Sequence, residues 1–80
     1  MNREQFSHHR QKTLFEIMML VDRYSKYTAP PYKYVIEQLE AKGYKTAWGN
    51  DWTMPRLCMF LQRMGFVGLH GVKNRHVNHD

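Results

Sequence analysis

Eighty residues carrying twelve Lys and Arg against seven Asp and Glu, a formal charge of +5, describe one small basic domain suited to polyanionic partners. With 42% hydrophobic and 14% aromatic residues, the chain is too apolar to stay disordered, so a modest core is expected. The single cysteine, Cys58, excludes a disulfide framework and a cysteine-cluster zinc site; no apolar run approaches the roughly 18–20 residues that span a bilayer, and the start MNREQFSHHRQK is polar, without the apolar stretch and cleavage signature of a secretion signal, so secretion is not expected.

The spacing predicts three helices. The first runs from about Glu4 to about Ser25, with Asn2 and Gln5 at the separation of a capping box. Phe6, Leu14, Ile17, Met18, Val21 and Tyr24 recur at helical intervals. Phe15, Met19 and Leu20 lie off that stripe, and a helix apolar on more than one face is usually covered on more than one. A homodimer through Phe15, Met19 and Leu20 is therefore expected.

SKYTAPP ends this helix, because two prolines forbid a helix interior just before them yet suit a first turn. The second helix, about Tyr32 to Lys42, buries Tyr32, Val35, Ile36 and Leu39, and Gly43 sits where a left-handed cap belongs. In YKTAWGNDW, alternation of Tyr44, Thr46 and Trp48 predicts a short strand turning at Gly49-Asn50, with Trp48 expected in the core and, as the alternative, stacked on a sugar or base. Thr53 caps a third helix with Pro55 in its first turn. Leu57, Phe60, Leu61 and Met64 are its inner stripe, Cys58 is expected to be a buried, inert thiol at the edge of that stripe, and Gly65 stops the helix. FVGLHGV, residues 66–72, reads as a strand beside Tyr44–Thr46, and residues from about 73 to 80 as a frayed polar end. The expected fold is mainly α over residues 1–80: a three-helix helix-turn-helix or winged-helix-like body with a small β element.

Residues 36–68, IEQLEAKGYKTAWGNDWTMPRLCMFLQRMGFVG, carry a resemblance. Leu39, Gly43, Tyr44, Thr46, Gly49, Trp52, Thr53, Leu57, Phe60 and Leu61, followed by Phe66 and Gly68, fall without a gap on a pattern. It resembles the DNA-binding "recombinase" domain that follows the catalytic domain of large serine recombinases. These eighty residues do not include the recombinase catalytic domain, so no recombination chemistry is expected of them. Pro55 also departs from the family, which usually has a small polar residue there. The resemblance implies a DNA-reading module used alone, as in small regulators or accessory proteins of phages and mobile elements. The matched residues also have plain structural duties: Gly43 and Gly49 supply backbone geometry, Thr53 a cap and Trp52 a core anchor.

Helix 53–64 is the candidate reader of the major groove. Arg56 and Arg63 lie two turns apart on the face away from Leu57 and Leu61, flanked by Met59 and Gln62. Arg contacts guanine bidentately, Gln contacts adenine and an apolar side chain touches the thymine methyl. An ordinary solvated basic face would have the same composition. Lys45, Lys73 and Arg75 are expected to converge around the β element as phosphate contacts, with Thr46 and Asn50 adding hydrogen bonds. His8-His9 and His70, His76 and His79 lack acidic or thiolate partners, so no metal is expected. No catalytic constellation, glycine-rich phosphate loop or cofactor motif stands out, and no enzyme is expected.

These features predict sequence-specific binding of duplex DNA by a cytoplasmic, nucleoid-associated bacterial protein with a part in transcription regulation. The rival expectation is a protein-interaction module, an adaptor or inhibitor of a host protein, using the apolar surplus of helix one.

Overall fold

Thr13, Ile17, Leu20 and Val21 return to one side of a helix, and that side organises the molecule. In the computed structural model, which describes residues 3–75, they belong to α1 (Arg3–Tyr24). Then come α2 (Tyr32–Ala41), α3 (Met54–Arg63) and α4 (Gly68–Lys73). The fold is mainly helical, and among the described residues there is no strand. Both α2 and α4 pack against α1 and against α3. Val35, Leu39, Leu57, Leu61, Leu69 and Val72 close the core with the α1 side chains.

Local chemistry sets the helix ends. Thr53 is extended and its hydroxyl accepts from the Arg56 N–H at 3.4 Å, with Pro55 in the first turn, so α3 starts where a cap is available. Gly43 (φ 78°) and Gly65 (φ 92°) end α2 and α3 in the same way. After α2, the Tyr44 N–H donates to the Leu39 carbonyl and that of Gly43 to the Glu40 carbonyl. After α3, Phe66 and Gly65 do the same to Leu61 and Gln62. This paired closure needs a left-handed residue, which is why glycine stands at both places.

Several expectations are corrected. Residues 66–72 are not a strand: after Gly65 the chain turns and forms α4, burying Leu69 and Val72 at an i, i+3 spacing. With no partner strand, Tyr44–Trp48 is not a strand either. It is a loop closed on itself, in which Thr46 N–H donates to the Asn50 carbonyl and Gly49 N–H to that of Thr46. The small β element of a winged helix is therefore not present among the described residues. The connection from α2 to α3 spans residues 42–53, longer than the three- to four-residue turn of a helix-turn-helix.

Leu20 is only 4% exposed and belongs to the core, so it is removed from any dimer face, whereas Phe15 is 64% exposed. Cys58 is exposed rather than buried. Lys73, Asn74 and Arg75, expected to fray, are held: Lys73 donates to the Ser25 carbonyl, and Arg75 pairs with Asp22 at 2.7 Å. Asn2 of the proposed capping box, His76, His79 and the rest of the expected frayed end lie outside the described residues.

Thr13 is fully buried and its hydroxyl has no hydrogen-bond partner. A buried polar group left unsatisfied costs about 1–3 kcal/mol, and an apolar group of the same shape avoids that cost. Thr13→Val is accordingly expected to raise stability by about 1 kcal/mol in urea melts; a loss of stability would mean that the hydroxyl is satisfied in solution.

Candidate nucleic-acid interface

The core begins at Thr13, and no described side chain of α1 before it is buried. The N-terminal turns of α1 thus extend past the packed bundle. With 22 residues, α1 is about 33 Å long at 1.5 Å per residue, against about 15 Å for each of α2 and α3. This overhang faces α3 across a cavity of about 180 Å³. Phe6, His9 and Arg10 of α1 form one wall, and Arg56, Met59, Phe60 and Arg63 of α3 the other. Thr46–Trp48, Asn50 and Trp52 complete it. The four α3 residues follow an i, i+3, i+4, i+7 spacing, a single helical face next to the one that buries Leu57 and Leu61.

The lining contains three arginines and no carboxylate. The Arg10 guanidinium lies 5.4 Å from the centre of the Phe6 ring, one turn earlier on α1, and donates to the Met64 sulfur at 3.6 Å. The Arg56 Nη1 donates to the Asp51 carbonyl at 3.1 Å, so its guanidinium is held near the start of α3. Arg63 and Gln62 make no side-chain hydrogen bond or ion pair to any described residue. His9 Nε2 donates to the Lys45 carbonyl at 3.0 Å and ties the overhang to the loop.

The loop is built around Thr46. Its hydroxyl accepts from the Asn50 N–H at 3.0 Å, and Gly49 (φ 82°) makes the reversal. Trp48 stands at the tip, 79% exposed rather than packed in the core, with its ring 5.9 Å from that of Phe6 in an edge-to-face arrangement. Trp52 is 4% exposed and packs edge-to-face on Phe60 at 5.4 Å. Its indole N–H is buried without an acceptor.

Of the residues singled out from sequence, Arg56, Met59, Arg63, Thr46 and Asn50 are brought together here. Gln62 is exposed but lies outside the cavity lining. Lys45 adjoins the site through its carbonyl, while its ammonium pairs with Asp51. That hydrogen bond and charge raise the Lys45 pKa and lower that of Asp51. Lys73 and Arg75 do not converge with Lys45. They bind Ser25 and Asp22 at the far end of α1, twelve residues and about 18 Å from Arg10. The geometric reason is that residues 68–73 form a helix against α1, not a strand against the loop.

Sequence reasoning missed Arg10 and Phe6, and for Trp48 it favoured the core over the exposed position that the ring takes. The i, i+4 spacing of Phe6 and Arg10 was a readable signal for their contact. Among the described residues, no group of three or more His, Cys, Asp or Glu side chains is placed to hold a metal ion, and no helix is long and apolar enough to cross a membrane.

No protein-family model, curated protein or solved structure matches this chain.

Proposed function

We propose that this protein binds duplex DNA, with the exposed face of α3 entering the major groove. One observation carries the proposal: α3 has no acidic residue, and its Arg56–Met59–Arg63 face opens onto a surface lined by arginines and no carboxylate. The chain's net charge of +5 favours the same partner. Arg63, without a side-chain partner among the described residues, reaches base edges, and Arg56 does so on releasing the Asp51 carbonyl. Arg10 and Lys45 flank α3 as phosphate contacts, and a phosphate at Lys45 displaces Asp51. In this arrangement α2 and α3 act as the supporting and reading helices of a helix-turn-helix with an enlarged turn. A regulatory or accessory role in a phage or mobile element, in a bacterial cytoplasm, fits such a module.

The test is a titration of a selected site and of random duplex at two salt concentrations. Arg63→Ala is expected to cost about 1–3 kcal/mol on the selected site and little on random DNA, with Arg56→Ala costing somewhat less. Lys45→Ala should weaken both DNAs alike and reduce the salt slope by about one. Equal losses on both DNAs for both arginines would reduce α3 to a phosphate-binding face. Absence of binding at low salt by the folded protein would end the proposal.

A second reading, a protein-interaction module or homodimer, is favoured by the exposed Phe15, beside which Met19 is half-buried. Leu20 has no part in it. Association through that face would be insensitive to salt, unlike binding to phosphates.

A further inference from the structure

We infer that the cavity between the α1 overhang, the Thr46–Asn50 loop and α3 receives one unpaired nucleobase with its phosphate. The protein then prefers DNA interrupted by unpaired nucleotides over a continuous duplex. This rests on the DNA-binding proposal above and names a substrate feature that α3 alone does not read.

The first support is Trp48. The indole is 79% exposed, and Phe6 is the one described ring that contacts it. Its position is nevertheless fixed, since the loop that presents it is closed by three hydrogen bonds between Thr46 and Gly49 or Asn50. Phe6 contacts it edge-to-face, which leaves most of the indole for a second ring. Base-on-aromatic stacking of this kind tolerates any sequence, because every base has a π-face.

Size and charge narrow the ligand further. A cavity of roughly 150 Å³ admits benzene, so the space of about 180 Å³ between these walls matches a single planar ring system, while Arg56, Met59 and Arg63 stay exposed at its rim. Arg10, Arg56 and Arg63 surround that space with no carboxylate among the lining residues. An aromatic side chain of a peptide would fill the space and leave three guanidinium charges without an anion, whereas a nucleotide brings ring and phosphate together. In an uninterrupted duplex the faces of the bases are stacked and only their edges are offered, so Trp48 finds a partner only where a base is unpaired.

The experiment measures anisotropy at one salt concentration with three labelled probes. They are a random-sequence duplex, the same duplex with a short central bulge in one strand, and the bulged strand alone. Wild type, Trp48→Ala and Trp48→Phe are compared. A stacked base corresponds to roughly 5- to 150-fold in affinity, so wild type should favour the bulged over the intact duplex by at least about 5-fold. Trp48→Ala should erase that preference and leave intact-duplex binding unchanged; Trp48→Phe should keep most of it. Equal affinity for bulged and intact duplex overturns the base site while leaving duplex binding standing, and so does an equal loss on all probes for Trp48→Ala. Trp48-dependent binding of the single strand without binding of intact duplex has the reverse meaning: the base site stands and the duplex proposal falls. No binding to any probe ends both.

Discussion

Replacing Trp52 by alanine should destabilise this protein by about 3–5 kcal/mol, the range found for truncating a buried Trp or Phe. The ring is almost wholly inside, between the loop that presents Trp48 and the capped start of α3, and it packs on Phe60 at an interplanar angle of 79°. At roughly 0.05–0.15 kcal/mol per residue, an 80-residue domain has about 4–12 kcal/mol in total. The variant is therefore expected to be largely unfolded at 37 °C if the protein lies at the low end, and to melt far below wild type if it lies higher. Trp52→Phe separates packing from the indole N–H. It retains an aromatic contact with Phe60 and removes a buried donor that has no acceptor, so its cost should be well below that of alanine. Urea melts of the three proteins decide the matter. A Trp52→Ala variant melting within a degree or two of wild type would mean that the ring is not the anchor of the α2–α3 connection.

Which parts of the molecule could be read from its sequence follows from how local their causes are. Thr53 and Pro55 mark the start of α3, and Gly43 and Gly65 mark two helix ends, because caps and left-handed turns are decided within a few residues. The i, i+4 pair Leu57 and Leu61 likewise announces its own burial. Helix α4 was not readable in this way. Six residues give one turn and a half, two of them are glycines, and the pair Leu69 and Val72 is too short a pattern to separate from a strand. Trp48 is exposed for the same reason: alternation along 44–48 implies a buried face only if a neighbouring strand exists, and Gly68–Lys73 supply a helix instead.

The site itself was half legible. The face of α3 follows from helical geometry, so Arg56, Met59 and Arg63 were found together. What stands opposite that face depends on how far α1 reaches past the core, and the core begins at Thr13, a polar residue that no hydrophobic pattern would mark as buried. Arg10 and Phe6 could therefore not be placed beside α3 before the packing was known. Lys73 and Arg75 were misplaced for the complementary reason. Positive charge in sequence says nothing of which helix end it will neutralise, and both are used against the carbonyl of Ser25 and the carboxylate of Asp22.

Gly68→Ala should cost about 2–4 kcal/mol, with Tyr32 sharing the responsibility. Gly68 opens α4 with φ at 65°, where an L-residue bears about 1–2 kcal/mol of strain. A Cβ there would also stand 2.4 Å from the Tyr32 hydroxyl, closer than any non-bonded contact allows. Tyr32 cannot withdraw without loss, because its hydroxyl accepts from the Leu69 N–H at 3.2 Å and satisfies a donor at the start of α4. Burial raises the phenol's pKa, so it remains a neutral hydroxyl over the working range of pH. Displacing it orphans the Leu69 N–H, which adds about 1–3 kcal/mol. A double-mutant cycle distinguishes the two causes. In a Tyr32→Phe background the clashing oxygen is gone and the Leu69 N–H is already unsatisfied, so adding Gly68→Ala should cost only the backbone strain. The cycle should therefore show coupling of roughly 1 kcal/mol or more, as expected for residues in direct contact. Strict additivity would place the whole cost in the backbone and release Tyr32 from its part in holding α4 to α2.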